Sequence, residues 1–187
     1  MIASKTHPAT EADLDALPEG VVGEILSGEL VVAPRPHLRH VNVASGAGFL
    51  VSGPFRYGVN GPGGWWILDE PQVHLGGDIV VPDLAGWRRE RLPELPDDHR
   101  IHLTPDWVCE VLSPSTRRRD RLYKIDLFDR TRVPHVWLID PVDRTLEVYE
   151  RLSDGGYRVH VIDAGGSPEA RVPPFDAVAL DLTLLWK

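Results

Sequence analysis

The 187 residues contain one cysteine, Cys109, so no internal disulfide can form. Its place between Val108 and Glu110 in an apolar run predicts a small buried side chain in a reducing compartment. Long hydrophobic runs are missing as well. No stretch reaches the ~18 apolar residues that a membrane span needs, and the opening MIASKTHPATEADLDAL carries no signal-peptide core, so a cytoplasmic protein is expected. A basic excess is absent: 20 Lys and Arg against 28 Asp and Glu leave a net charge of −8, which argues against a domain that binds nucleic acid by bulk charge. Internal repeats and low-complexity tracts are lacking too. Histidines do pair at a spacing of three, His37 with His40 and His99 with His102, but neither pair has neighbours that complete a zinc set.

The remaining composition, 42% hydrophobic and 26% charged, is that of an ordinary folded domain. A single domain over residues 18–187 is expected, preceded by a tail over 1–17 that starts a short helix at EADLDAL with Thr10 as N-cap. PEGVVGEILSGELVVAP alternates around Ser27-Gly28 and reads as a β-hairpin, with Glu24 on its first strand and Glu29 opening its second. HLRHVNVASGAGFLVSG reads as a helix with Leu38, Val41, Phe49 and Leu50 as its apolar residues. Its Ala44, Gly46, Ala47 and Gly48 would allow close approach to a sheet. After a turn-rich loop, WWILDEPQVHL predicts a strand with Pro71 at a bulge or edge, and Gly76-Gly77 turns the chain into the next strand, DIVVPDLAGW. There Pro82 and Asp83 break the rule for strand interiors, since both residue types are depleted in sheets, and such a breach marks a site more often than a packing accident. The segment 88–104 is a long connection of the kind that carries function.

The stretch from Thr104 to Asp140 holds the most information. Alternation in DWVCEVL sends Val108, Glu110 and Leu112 to one face and Trp107, Cys109 and Val111 to the other, so the strand is apolar on both faces and central in its sheet. Glu110 is the exception on that strand. An unpaired carboxylate there would cost roughly several kcal/mol to desolvate, so a cation must lie near it. Ser113–Thr116 ends the strand, with Ser115 or Thr116 as N-cap of a helix on which Arg117, Arg121, Lys124 and Phe128 share one face. PHVWLIDP returns as a strand, a hairpin turns at Asp154-Gly155-Gly156, and the tail ends in a short strand and a helical turn.

Two carboxylates on neighbouring strands repel unless a cation sits between them, and a hard divalent ion with oxygen ligands meets that need. Asp83 and Glu110 suit it. Lys124 then supplies an amine that holds a water or stabilises charge on a phosphoryl oxygen, while Arg117 and Arg121 are placed to hold a phosphate backbone. The order Pro82-Asp83, Glu110-Val111-Leu112, Lys124 resembles the PD-(D/E)XK nuclease superfamily, and more closely its bacterial branch of restriction-endonuclease-like proteins of unknown function. The resemblance runs from PEGVVGEILSGELVV through VPDLAGW, EVLSPST, DRLYK and VPHVWLIDP to LDL.

It implies an α/β, restriction-endonuclease-like fold with a mixed central sheet flanked by helices, an N-terminal β-hairpin and additional C-terminal strands. It further implies Asp83 and Glu110 as Mg²⁺ ligands, with Mn²⁺ able to substitute, and Lys124 as the catalytic amine in an endonuclease acting on DNA. Glu24 and His40 match an accessory glutamate and histidine of the branch. Leu112 stands where the superfamily places its lysine, and Gly23 and Phe128 where the branch has tyrosines. Cutting both strands of a duplex with one site per chain implies a homodimer. Two alternatives stay open: a non-catalytic module on the same fold, and a different metal enzyme using His37/His40 or His99/His102.

Overall fold

Every residue of the strand Trp107–Val111 is buried, as a strand with two apolar faces requires, and the fold is layered on it. The computed structural model describes residues 7–32, 35–113, 117–166 and 169–187. In chain order these form α1 (Glu11–Asp15), the hairpin β1 (Gly23–Leu26) and β2 (Glu29–Val32), and α2 (Leu38–Val51), which runs into a π-helical turn at Ser52–Arg56. Next come β3 (Trp65–Asp69), β4 (Gln72–Leu75), β5 (Asp78–Val80), β6 (Leu84–Arg88), β7 (Arg100–Ile101) and β8 (Trp107–Val111). The helix α3 over residues 117–130 has α-helical ends, Arg117–Arg119 and Ile125–Arg130, and a π-helical middle, Asp120–Lys124. It is followed by β9 (His135–Asp140), β10 (Thr145–Arg151), β11 (Tyr157–Asp163), β12 (Glu169–Ala170), β13 (Leu180–Asp181) and a 3-10 turn at Leu182–Trp186. The residues proposed to cap α3, Ser115 and Thr116, lie outside the described residues.

The central sheet has the order β11-β10-β9-β8-β6-β3. Only β8 and β9 run parallel in it, and α3 makes the crossover between them. A second sheet, β2-β1-β5-β4-β7, joins the hairpin to the middle of the chain, with β4 and β7 parallel. The hairpin turns as its sequence dictates, with φ of 51° at Ser27 and 77° at Gly28. The faces of β8 follow the predicted alternation: Trp107, Cys109 and Val111 enter one core with α2, while Val108 and Leu112 enter another with Leu127 and Phe128 of α3.

WWILDEPQVHL, predicted as one strand with a bulge, is two strands in two sheets. Glu70, with φ of 45°, turns the chain between β3 in the central sheet and β4 in the second. DIVVPDLAGW divides in the same way, β5 in the second sheet and β6 in the central one. The breaks lie side by side, since Glu70 N–H donates to the Asp83 carbonyl at 3.1 Å. Proline cannot extend either ladder, so the whole hairpin bends there from one sheet into the other.

The apolar residues of α2 also sort differently from expectation. Leu38, Val41 and Phe49 are exposed, and Val43, Ala47, Leu50 and Val51 form the packed face. The cause is the small-residue face: a Cβ on Gly46 would lie 3.3 Å from the Leu184 carbonyl and from Leu185 Cα, so the 3-10 turn at Leu182–Trp186 docks where only glycine leaves room.

His99 is exposed beside Asp98, and the His102 ring lies against His74 of β4, 4.3 Å between centroids and tilted by 46°. Neither His99 with His102 nor His37 with His40 belongs to a metal-holding group of three or more donors among the described residues. Among them, too, no helix is long and apolar enough to cross a membrane.

His135, at the start of β9, has its Nδ1 buried without a hydrogen-bond partner among the described residues. Burial, aided by the Arg88 charge, lowers its pKa from 6.5 against the opposing pull of Glu150. The unfolded chain then binds a proton that the folded chain refuses, so this residue's contribution to stability is lost as pH falls through about 6.5. His40, raised by its carboxylate partner, acts in the opposite sense. His135→Gln is expected to flatten the fall in Tm between about pH 7 and pH 5.5. An unchanged Tm–pH slope in the variant would remove His135 from the acid limb.

Candidate active site

The junction of the two sheets opens into a cleft of about 570 Å³ lined, among others, by Glu24, His40, Asp83, Glu110, Asp120 and Lys124. Each side chain is delivered by a different constraint. Glu24 comes from β1, on a strand buried throughout. Asp83 stands where the bent hairpin enters β6, and Glu110 sits one residue before the end of β8. Asp120 and Lys124 bound the π-helical middle of α3, and His40 lies on the first turn of α2.

The amine of Lys124 is 3% exposed as a residue and lies 2.8 Å from Glu110 Oε1 and 2.9 Å from Glu24 Oε1. Glu24 Oε1 is itself fixed by the Val81 N–H at 3.0 Å. Asp83 Oδ2 accepts the N–H of Val111, the residue after Glu110, at 2.6 Å, and His40 Nε2 at 3.2 Å. His40 Nδ1 is buried with no hydrogen-bond partner among the described residues. The site is thus an open chain of contacts: Glu24 to Lys124, Lys124 to Glu110, and from the Glu110 strand through Asp83 to His40.

Its charge balance is negative. Burial pushes the Glu110 carboxyl well above its usual range; Lys124 pulls it down, while Asp120, Asp83 and Glu24 push it up. Burial alone would lower the Lys124 amine, but Glu110, Glu24 and Asp120 reverse the sign and raise it, so it stays charged. Burial likewise works against the His40 cation, and Asp83 overcomes it through a hydrogen bond and its charge, leaving the imidazole raised. Carboxylates gathered around one buried amine present hard oxygen donors, the kind of ligand a small divalent cation takes. Asp83 and Glu110 both line the cleft and are the two carboxylates available to such an ion; with these as with the histidines, no metal-holding group of three or more donors forms among the described residues. Cys109 takes no part: it faces the opposite core, and burial drives its thiol well up.

Arg117 and Arg121 do not share the buried face of Lys124 and Phe128. The π-helical middle of α3 shifts the register of the arginines outward. Arg117 NH2 lies 2.7 Å from Asp140, and Arg121 NH2 2.5 Å from Glu147, so both guanidiniums are already matched by carboxylates. Two contacts go beyond what the sequence indicates. Asp120, 2% exposed, has no role in the motif order, although an acid four residues before a lysine on a helix marks a shared face. Glu24 touches the lysine directly, whereas strand alternation left its direction open.

A family model, Uma2, described as "Putative restriction endonuclease", matches residues 12–183. Among solved structures, the chain is similar to one described as a "putative nuclease belonging to DUF820" from Anabaena variabilis. The two share 24% sequence identity with a TM-score of 0.75, over 96% of this chain and 98% of that one. The fold is therefore the restriction-endonuclease-like α/β fold that the motif order implies. No curated protein matches the sequence.

Proposed function

Because the chain belongs to the Uma2 family, "Putative restriction endonuclease", we propose that it hydrolyses phosphodiester bonds in DNA at the cleft between its two sheets. Asp83 and Glu110 would hold Mg²⁺ or Mn²⁺, which supplies a Lewis acid and a water of lowered pKa. Lys124 offers a fixed positive charge to a phosphoryl oxygen or to the attacking water. Glu24 holds that amine in place when Glu110 is engaged elsewhere, and His40 orients the Asp83 carboxylate. The observation that supports the reading best is the Lys124 amine, 2.8 Å from Glu110 on the strand whose next N–H grips Asp83. Acting on both strands of a duplex, one site per chain calls for two copies.

Asp83→Asn tests the reading with little structural disturbance, because the amide oxygen can still accept the Val111 N–H. Nicking of supercoiled plasmid in Mg²⁺ or Mn²⁺ is expected to fall about 100-fold or more. Equal nicking by wild type and variant would reject the proposal. A non-catalytic module on the same fold is the competing reading, favoured by a Lys124 that two carboxylates already neutralise. Calorimetry separates the two: Mn²⁺ binding that disappears in Asp83→Asn supports the nuclease, and no binding to wild type supports the module.

A further inference from the structure

Arg117 and Arg121 are paired with carboxylates, and Arg35 is the arginine that lines the cleft among the described residues, so a duplex long enough to extend past the cleft needs further positive charge beyond it. The far end of β6 carries it. Arg88 and Arg89 are exposed there, and Arg56 closes the π-helical turn beside them. No ion pair joins any of these three to a carboxylate among the described residues, in a chain of net charge −8. Their partners are aromatic rings and backbone carbonyls. Arg88 lies over the Trp65 ring at 4.7 Å and Arg89 over Trp66 at 3.9 Å. Arg56 donates to the Ile67 carbonyl at 2.7 Å, and Arg89 Nε to the Trp65 carbonyl at 3.3 Å. Those contacts cap the open edge of β3, a structural duty in itself. They consume a minority of the donors of each planar group and hold the positive charge in place without neutralising it. Beyond the exposed Glu90, Arg91 differs: Asp106 takes it at 2.6 Å.

We propose that Arg56, Arg88 and Arg89 form a binding site for the phosphate backbone of duplex DNA, at the end of the central sheet opposite the acidic cleft. Tyr57, 66% exposed and within 5.1 Å of the Arg56 guanidinium, adds an exposed ring to the same patch. From Asp83 to Arg88 the chain runs five residues in extended form, about 17 Å. That is about half a turn of B-form DNA. A duplex lying along the β3 edge with one phosphate at the cleft would bring phosphates across a groove to the arginines. This rests on the nuclease reading for the choice of ligand, and not for the presence of an anion site.

The test measures binding without cleavage: fluorescence anisotropy of a labelled 30-base-pair duplex in EDTA, across a salt series. Arg88→Gln combined with Arg89→Gln is expected to weaken binding ~10-fold or more and to lower the slope of log K against log salt by about two. Arg158→Gln, which removes one charge as Arg88→Gln alone does, lies at an exposed position on β11 at the other edge of the sheet and should leave both unchanged. Arg89 also caps the strand edge, so Arg88→Gln alone, whose Tm should match wild type, is expected to lower the slope by about one. Double and single variants that bind like wild type would overturn the site while leaving plasmid nicking intact as evidence for the nuclease. Arginine-dependent binding without metal-dependent nicking would keep the site and reject the nuclease. A wild type that binds no duplex overturns this proposal, and preferential binding of single-stranded DNA or an acidic polypeptide reassigns the patch to that partner.

Discussion

Lys124→Met is expected to lower the unfolding free energy by about 3–5 kcal/mol and to reduce plasmid nicking to background. The amine is buried and lies within 2.9 Å of both Glu24 and Glu110, each of them buried. Methionine matches the length of the side chain but leaves two carboxylates facing each other without a counter-charge. Breaking a buried pair costs more than never having made it, because the stranded charge has already left water. Adding Glu24→Gln and Glu110→Gln to Lys124→Met should therefore recover much of the lost stability, since the cluster is then neutral. It should recover no cleavage. Urea unfolding with a plasmid assay reads both quantities. A Lys124→Met protein as stable as wild type would mean the carboxylates are not confined with the amine; full nicking by it would end the catalytic role of Lys124.

The second large effect lies in the core. Phe175→Ala should destabilise the protein by about 3–5 kcal/mol, or roughly 10 °C in Tm for a chain of this size. Phe175 is fully buried, and its ring centroid lies 4.7 Å from Phe55, 4.9 Å from Trp107, 5.0 Å from Trp65 and 5.5 Å from Trp137. Four rings tilted or edge-on to a fifth leave a cavity that cannot collapse, because Trp65, Trp107 and Trp137 are held by three strands of the central sheet. Well below its Tm the variant should still nick plasmid, since Phe175 does not line the cleft. Calorimetric melting and nicking at low temperature check the two halves. A Tm shift of a degree or two would show that the ring carries little of the packing.

The cleft was legible to the degree that its residues break local rules. Asp83 beside Pro82 and Glu110 within WVCEVL offend strand chemistry, and that offence is visible in one sequence. Lys124 came from motif order; the chain has only two other lysines, Lys5 and Lys187, so a lone interior lysine was a further clue. The division into two sheets is not evident when the prolines are taken singly, Pro71 as a bulge or edge and Pro82 with Asp83 as a site. They are equidistant from the Gly76-Gly77 turn, and paired breaks on opposite arms of a hairpin signify a bend of both. Glu24 shows a deeper limit: alternation tells that a strand residue points up or down, and only the placement of the second sheet against α3 says which direction meets a lysine. The exposed face of α2 illustrates the same point, since the partner that selected Gly46 over Leu38 is the 3-10 turn at Leu182–Trp186, remote in sequence.

The bend at Glu70–Pro71 and Pro82–Asp83 makes the acid at its corner a hinge pin shared by two rigid plates. Replacements inside either plate can be absorbed locally, whereas a residue inserted or deleted on one arm of the hairpin would throw the two crossings out of step. Lineages of this fold would then be free to vary hairpin tips and outer strands, but would have to change both arms together, or neither, near the corner.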